Sequence, residues 1–321
     1  MTAQPGATGV TQAPPRPQPR AGPRAKAPLS EGARAERRLG WLLCAPAVII
    51  MVAVTAYPLG YALWLSLQRY DLRFPAEREF IGLANYATVL SSSPWWTALG
   101  VTLFITVVSV ALELAIGMGM ALIMRYALVG RGLVRTAILI PYGIVTVVAA
   151  YSWQYAWTPG TGYLANLLPP GRAPLTQQWP AIFIIIGAEV WKTTPFMALL
   201  LLAGLSLVPE DLQRAAKVDG ATAWQRFVRI TLPLMKPAIL VALLFRTLDA
   251  FRIFDNIYIL TKGGNNTGSV SILGYDNLFN ALNLGIGSAI SILIFICVAI
   301  IAVLFIKGFG TAAPGTDTGR R

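Results

Sequence analysis

Val208-Pro-Glu-Asp-Leu-Gln-Arg-Ala-Ala-Lys-Val-Asp-Gly220-Ala-Thr-Ala-Trp-Gln-Arg-Phe-Val-Arg-Ile230-Thr-Leu232-Pro233 is a polar segment set between two long apolar stretches. Pro209 in a first turn with Glu210 and Asp211 beside it suits the positive end of a helix dipole, and Gly220 is a natural stop, so a short helix is expected over 211–220. A second helix follows, with Trp224, Phe227 and Val228 on one face, ended by Pro233. Ala215 and Ala216 beside Leu212 make a face slim enough to enter a partner's groove. The same amphipathic pattern also suits a helix resting on lipid headgroups, and the residue types alone leave both readings open.

The apolar surroundings set the class. Of 321 residues 55% are hydrophobic and 12% charged, against about 25% charged in soluble domains. An all-α integral membrane protein is expected. There is no histidine, and Cys44 and Cys297 fall inside apolar runs. Ser/His/Asp catalysis, a His-containing zinc site and a disulfide framework are therefore excluded. The first forty residues hold seven prolines and seven Lys/Arg with almost no large apolar residue, which predicts a disordered basic tail over 1–38. The first apolar run, Leu39 to Gln68, is 30 residues without a charge, too long for a cleavable signal peptide. Apolar windows predict spans near 41–67, 96–124, 134–157, 180–207, 236–260 and 285–306, within a membrane domain 39–310 that carries the polar loop 208–236 and ends in a flexible tail 311–321.

Six spans leave both termini on one side. The segments on that side hold 18 of the 26 Lys/Arg and those opposite hold 5, so the positive-inside rule places both termini in the cytoplasm. The net charge of +12 is thereby accounted for by orientation, and no nucleic-acid partner is implied. Trp95, Trp96, Trp153, Trp157 and Trp179 lie near outer boundaries, where an interfacial aromatic belt is the simpler reading than a ligand role.

The spacing of Ala215-Ala216, Gly220, Ile230 and Leu232-Pro233 resembles the coupling-loop signature of permease subunits in binding-protein-dependent ABC importers. The resemblance implies a type I importer permease fold and a short helix seated in a cleft of a cytoplasmic ATPase, with Ala215, Ala216, Asp219, Gly220, Ile230 and Pro233 in the coupling segment. Arg214 stands where the family usually has Glu, which puts the familiar carboxylate contact in doubt on this half of the transporter. Further segments look like the maltose-type sugar permeases, and among them the permeases of trehalose importers: Thr55-Ala-Tyr-Pro58, Leu139-Ile-Pro-Tyr-Gly-Ile144, Tyr155-Ala-Trp-Thr-Pro-Gly-Thr-Gly162, Glu189-Val-Trp-Lys-Thr-Thr-Pro195, Arg246 to Asp255 and Thr261-Lys-Gly-Gly264 with Thr267. The likeness covers roughly residues 36 to 310. It implies a bacterial plasma-membrane, multi-pass subunit that pairs with a homologous second permease, two ATPase copies and an extracytoplasmic sugar-binding lipoprotein. ATP and Mg would be bound by the ATPase. The expected function is uptake of a disaccharide, trehalose first, with another sugar, a maltodextrin or a glycerol phosphate as the alternative.

An ion-coupled secondary transporter is the rival class. It would show internal repeats and broken helices at the midplane, and no repeat is evident by eye. None of the six lysines follows a glycine, so the chain has no P-loop, and ATP hydrolysis, if it drives transport, belongs to a partner.

Charges inside spans cost about 2.5–3.5 kcal/mol on insertion scales, so each asks for a reason. Glu189 with Lys192, Arg246 with Asp249, and Arg252 with Asp255 are spaced to pair along a helix, whereas Glu113 stands alone. Such pairs can be structural, or they can line a wet path. Glu189, Thr193 and Phe196 share one face of the fourth span, and Arg246, Asp249, Ala250 and Ile253 share one of the fifth. Counting from the coupling motif, the resemblance places both faces on the sugar path of maltose-type permeases. Carboxylates, a guanidinium and an aromatic ring such as Phe196 or Trp191 suit a many-hydroxyl, uncharged ligand. The loop Thr261-Lys-Gly-Gly-Asn-Asn-Thr-Gly268 is expected to be flexible, on the face where a binding protein would dock.

Overall fold

The computed structural model describes residues 31–126, 130–169 and 171–309. The expected tails lie outside these up to residue 30 and beyond 309; the segment 31–38, read above as tail, instead begins a helix. Helix α1 (Glu31–Ser66) starts there because Ala33, Ala35, Glu36 and Arg37 are good helix formers with no proline among them, joined directly to an apolar helix. The chain divides into two compact units, residues up to Tyr57 and Pro58 onward. In the first, Leu43, Ile49, Met51 and Val54 of α1 expose their side chains, as suits a helix solvated by lipid.

In the second unit, two two-residue strands, β1 (Gln68–Arg69) and β2 (Glu79–Phe80), pair antiparallel as a hairpin, and α2 (Ala84–Ser91) leads into α3 (Ser93–Tyr126). Beside this hairpin Arg73 hydrogen-bonds Asp71 and holds its carboxyl at about 2, below the ordinary range. Helix α3 packs along α6 (Gln178–Ser206), with Ile105, Ile182, Ile185 and Ile186 in one core cluster and Met118, Ala121, Met197 and Leu201 in another. Small residues let the helices close: a Cβ at Gly117 would lie 3.0 Å from Met197 Cγ, and one at Gly204 would lie 2.5 Å from the Ala238 Cβ. Helix α12 (Leu284–Phe309) completes the set of long helices.

Two predicted spans are not single rods. The third is a pair, α4 (Arg131–Gly143) and α5 (Thr146–Ala156), bent by 85°. Gly143 is followed by β-branched Ile144 and Val145 in extended backbone, which ends one helix before the next begins. Among the described residues five helical segments are long and apolar enough to cross a membrane, and counting the bent pair as one more gives six. The fifth span also breaks: α9 (Leu232–Ala250) stops, residues 251–254 are non-helical, and α10 (Asp255–Leu260) resumes.

The polar loop forms α7 (Glu210–Val218) and α8 (Ala223–Arg226). Gly220 has φ +80°, with Ala221 N–H bonded to the Ala216 carbonyl and Gly220 N–H to that of Lys217, a Schellman stop that only glycine adopts cheaply. Thr222 and Gln225 then cap α8 reciprocally. Pro233 does not end this helix, contrary to expectation. A π turn over Phe227–Thr231 joins α8 to α9, and Pro233 sits in the first turn of α9. The wider turn removes the demand for the regular hydrogen bond that proline cannot make.

Helix α11 (Val270–Tyr275) is capped by Ser269 and, with α12, packs on a core holding Trp95 and Phe251. Trp95 is therefore buried rather than part of an aromatic belt, whereas Trp96 and Trp179 are exposed. The loop 261–268, expected to be flexible, is closed on itself by a Thr261–Thr267 hydroxyl contact of 2.7 Å, with Thr267 fully buried.

Gly204→Ala should lower stability by about 1–3 kcal/mol through overpacking. Gly119→Ala, where an added Cβ meets nothing within 4 Å, should not. Thermal unfolding of the two purified variants against the parent checks this; equal curves would contradict the close α6–α9 approach.

Candidate functional site

Arg246 on α9 is 1% exposed, and it binds across to two other helices. Its Nε donates to Glu113 Oε2 of α3 at 2.6 Å, and Nη2 donates to Glu113 Oε1 at 2.9 Å and to Glu189 Oε1 of α6 at 3.3 Å. Nη1 donates to Asp249 one turn on. The Thr193 hydroxyl accepts from Nη2 at 3.1 Å and lies 2.8 Å from Glu113 Oε1. Asn256 of α10 donates to Glu189 Oε2 at 2.6 Å, so the Glu189 carboxylate ties together the two sides of the 251–254 break. A bidentate guanidinium–carboxylate pair in a dry interior is strong, and removing either member leaves an uncompensated charge.

Glu113, expected to stand alone, is thus the principal partner of Arg246. The two lie 133 residues apart in sequence, so no helical periodicity could link them. Of the expected i, i+3 pairs only Arg246 with Asp249 forms among the described residues. Lys192 lies 5.7 Å over the Tyr142 ring, because Arg246 and Asn256 already hold Glu189. Arg252 donates to the Leu248 carbonyl; Asp255 lies across the break, so the two no longer share a helical face. Asn256 was not signalled by sequence at all, since an amide within an apolar segment has no spacing rule of its own.

The two expected faces separate by exposure. Glu189, Thr193 and Arg246 converge in the buried cluster, while the Asp249 side chain is 64% exposed. Phe196 is half-buried and stacks on Tyr142 at 5.3 Å. Ala250 is buried, and Ile253 lies in the break with its carbonyl accepting from Ser269 at 2.8 Å, so both pack into the core of this chain. Among the described residues no group of three or more His, Cys, Asp or Glu is placed to hold a metal ion.

On the coupling segment Arg214, Ala215, Asp219, Gly220 and Pro233 are exposed, and Ala216 and Ile230 half-buried. Arg214 pairs with Glu210 at 2.9 Å and approaches Asp211 at 3.9 Å. Gln213 turns inward to the Thr231 hydroxyl at 2.9 Å, anchoring α7 to the π turn.

Arg246→Ala should destabilise the protein by about 3–5 kcal/mol, the range for breaking a buried pair. Arg252→Ala, with no carboxylate partner among the described residues, should cost under about 1 kcal/mol. Thermal unfolding in detergent tests the contrast, and similar losses for both would argue against a cluster centred on Arg246.

Comparison with known proteins agrees with this architecture. Residues 113–310 match the family described as binding-protein-dependent transport system inner membrane component. The trehalose transport system permease protein SugA of Mycobacterium tuberculosis is 70% identical over 287 residues, 89% of this chain and 94% of that protein. The trehalose/maltose transport system permease protein MalF of Thermococcus litoralis is 42% identical, over 85% of this chain and 94% of that one. A bacterial ABC transporter involved in alginate import superposes with a TM-score of 0.75 at 24% identity, covering 89% of this chain and all of the other. The helix order, the exposed capped helix of the polar loop and these likenesses together place the chain in one family: it is a multi-pass inner membrane component of a binding-protein-dependent ABC importer.

Proposed function

We propose that the chain is one of two permeases in an ATP-driven importer of a disaccharide, with trehalose as the substrate. The observation that carries the sugar assignment is the 70% identity to a trehalose transport permease across 89% of the chain. The assembly would comprise this chain, a homologous second permease, two ATPase copies that bind ATP and Mg, and an extracytoplasmic sugar-binding lipoprotein, all in a lipid bilayer with both termini cytoplasmic. The chain itself performs no bond chemistry.

In this reading α7, with exposed Ala215, half-buried Ala216 and Asp219 at its C-cap, enters the ATPase cleft, and the Schellman stop at Gly220 sets where the helix ends. Ile230 and Pro233 lie on the π turn and the start of α9, which carry the motion inward. Arg214 is occupied by Glu210, so the carboxylate contact that the ATPase makes elsewhere in the family falls to the second permease. Along the path, Asp249 offers an accessible carboxylate for sugar hydroxyls, oriented by Arg246. Phe196, backed by Tyr142, offers a ring face of the kind that packs on a sugar. Glu189, Thr193 and Arg246 hold these groups in register, and Ala250 and Ile253 form the wall behind them.

Uptake of labelled trehalose into vesicles containing the assembled transporter decides between classes. Uptake should persist with the proton gradient collapsed and fail without ATP; the reverse outcome would overturn the proposal. In the same assay Gly220→Val, which forces a β-branched residue to φ +80°, should reduce uptake at least tenfold while leaving binding-protein affinity unchanged. Normal uptake by that variant would remove α7 as the transmission point.

A further inference from the structure

A cleft of about 670 Å³ lies between α7, α8 and the end of α3. Its walls carry four cations, Arg125, Arg214, Lys217 and Arg226. Arg214 is neutralised by Glu210 at 2.9 Å. The other three have no carboxylate partner among the described residues. Arg125 donates to the Leu205 carbonyl, and Arg226 Nη1 lies 3.5 Å from the Gln213 carbonyl. Arg226 Nε is enclosed and meets no hydrogen-bond acceptor among the described residues. Neutral carbonyls satisfy N–H groups without compensating charge, so the cleft is built with positive charge in excess and with a donor left idle.

The remaining wall is aromatic. Trp224 is 71% exposed and leans on Phe227 with ring centroids 5.8 Å apart, and Tyr126 at the end of the α3 span is 59% exposed. Indole and phenol rings beside guanidinium groups at a span end are the arrangement that seats a phosphate between headgroup and acyl layer.

We propose that this cleft binds the phosphate of an anionic lipid headgroup from the cytoplasmic leaflet. The leaflet rests on the orientation proposed above; the anion chemistry does not. Arg125 and Arg226 contact the phosphate from opposite walls, Lys217 closes it from α7, and Trp224 lies against the glycerol and upper acyl region. The lipid thereby holds the coupling helix to the end of α3, and the anionic fraction of the membrane sets how firmly.

The test is lipid retention by the purified assembled transporter, taken from bilayers of equal phosphatidylglycerol and phosphatidylcholine into detergent and read by native mass spectrometry. The parent should retain phosphatidylglycerol at least fivefold over phosphatidylcholine, and Arg125→Gln with Arg226→Gln should abolish that preference. Arg226→Lys, which keeps the charge, should preserve it. Equal retention of both lipids by the parent, or an unchanged preference in the double variant, would overturn the proposal. Displacement of the retained lipid by millimolar inorganic phosphate would assign the cleft to a soluble anion and equally overturn the lipid. If the double variant does not assemble, Arg125→Gln alone carries the comparison. Because retention is read without transport, its failure is distinguishable from failure of the sugar assignment.

Discussion

A single guanidinium inside the helix core constrains the rest of the structure. A charge in a dry interior is tolerable only when paired and hydrogen-bonded, and Arg246 meets that condition by drawing Glu113 from α3 and Glu189 from α6 onto α9. The three helices cannot rotate independently without breaking it. Helix faces that would otherwise be interchangeable, since all three helices are apolar around most of their circumference, are fixed by where these side chains sit. Asp249 is the member of the group that reaches the exposed surface, so the cluster links the interior to the face proposed for substrate.

The same arginine lies at the end of a continuous mechanical element. Gln213 ties α7 to Thr231 in the π turn, and α9 runs unbroken from there to Ala250. The fifteen-residue rise from Thr231 to Arg246 spans about 22 Å of helix at 1.5 Å per residue. In the proposed reading, displacement of the exposed helix passes along α9 to the buried cluster, and through Glu189 and Asn256 to the far side of the 251–254 break. The break and the 85° bend after Gly143 are the places where otherwise stiff helices can change direction.

Much of this was legible in the sequence, for identifiable reasons. The apolar runs are long, the glycine at 220 has a conformational job that its neighbours announce, and charge asymmetry gives an orientation. Charge within a span marks Glu189 and Arg246, helical spacing adds Thr193 to the face of Glu189, and the structure gathers all three in one buried cluster. What spacing could not supply was the partnership of Glu113 with Arg246, which depends on how α3 and α9 are placed by α6, and the role of Asn256, which follows a break. Pro233 misled because proline ends helices when the preceding turn is regular, and here that turn is a π turn. Arg252 with Asp255 misled for a related reason: an i, i+3 rule presumes an unbroken helix between the two residues.

The most direct test of the central constraint is a double-mutant cycle on Glu113→Gln and Arg246→Gln, read by thermal unfolding of the purified transporter. A coupling energy of about 1.5 kcal/mol or more between the two positions, in the range measured for close charge pairs, is predicted. Additive losses would contradict it, and Arg246 would then be one buried residue among many rather than the group that sets the helix faces.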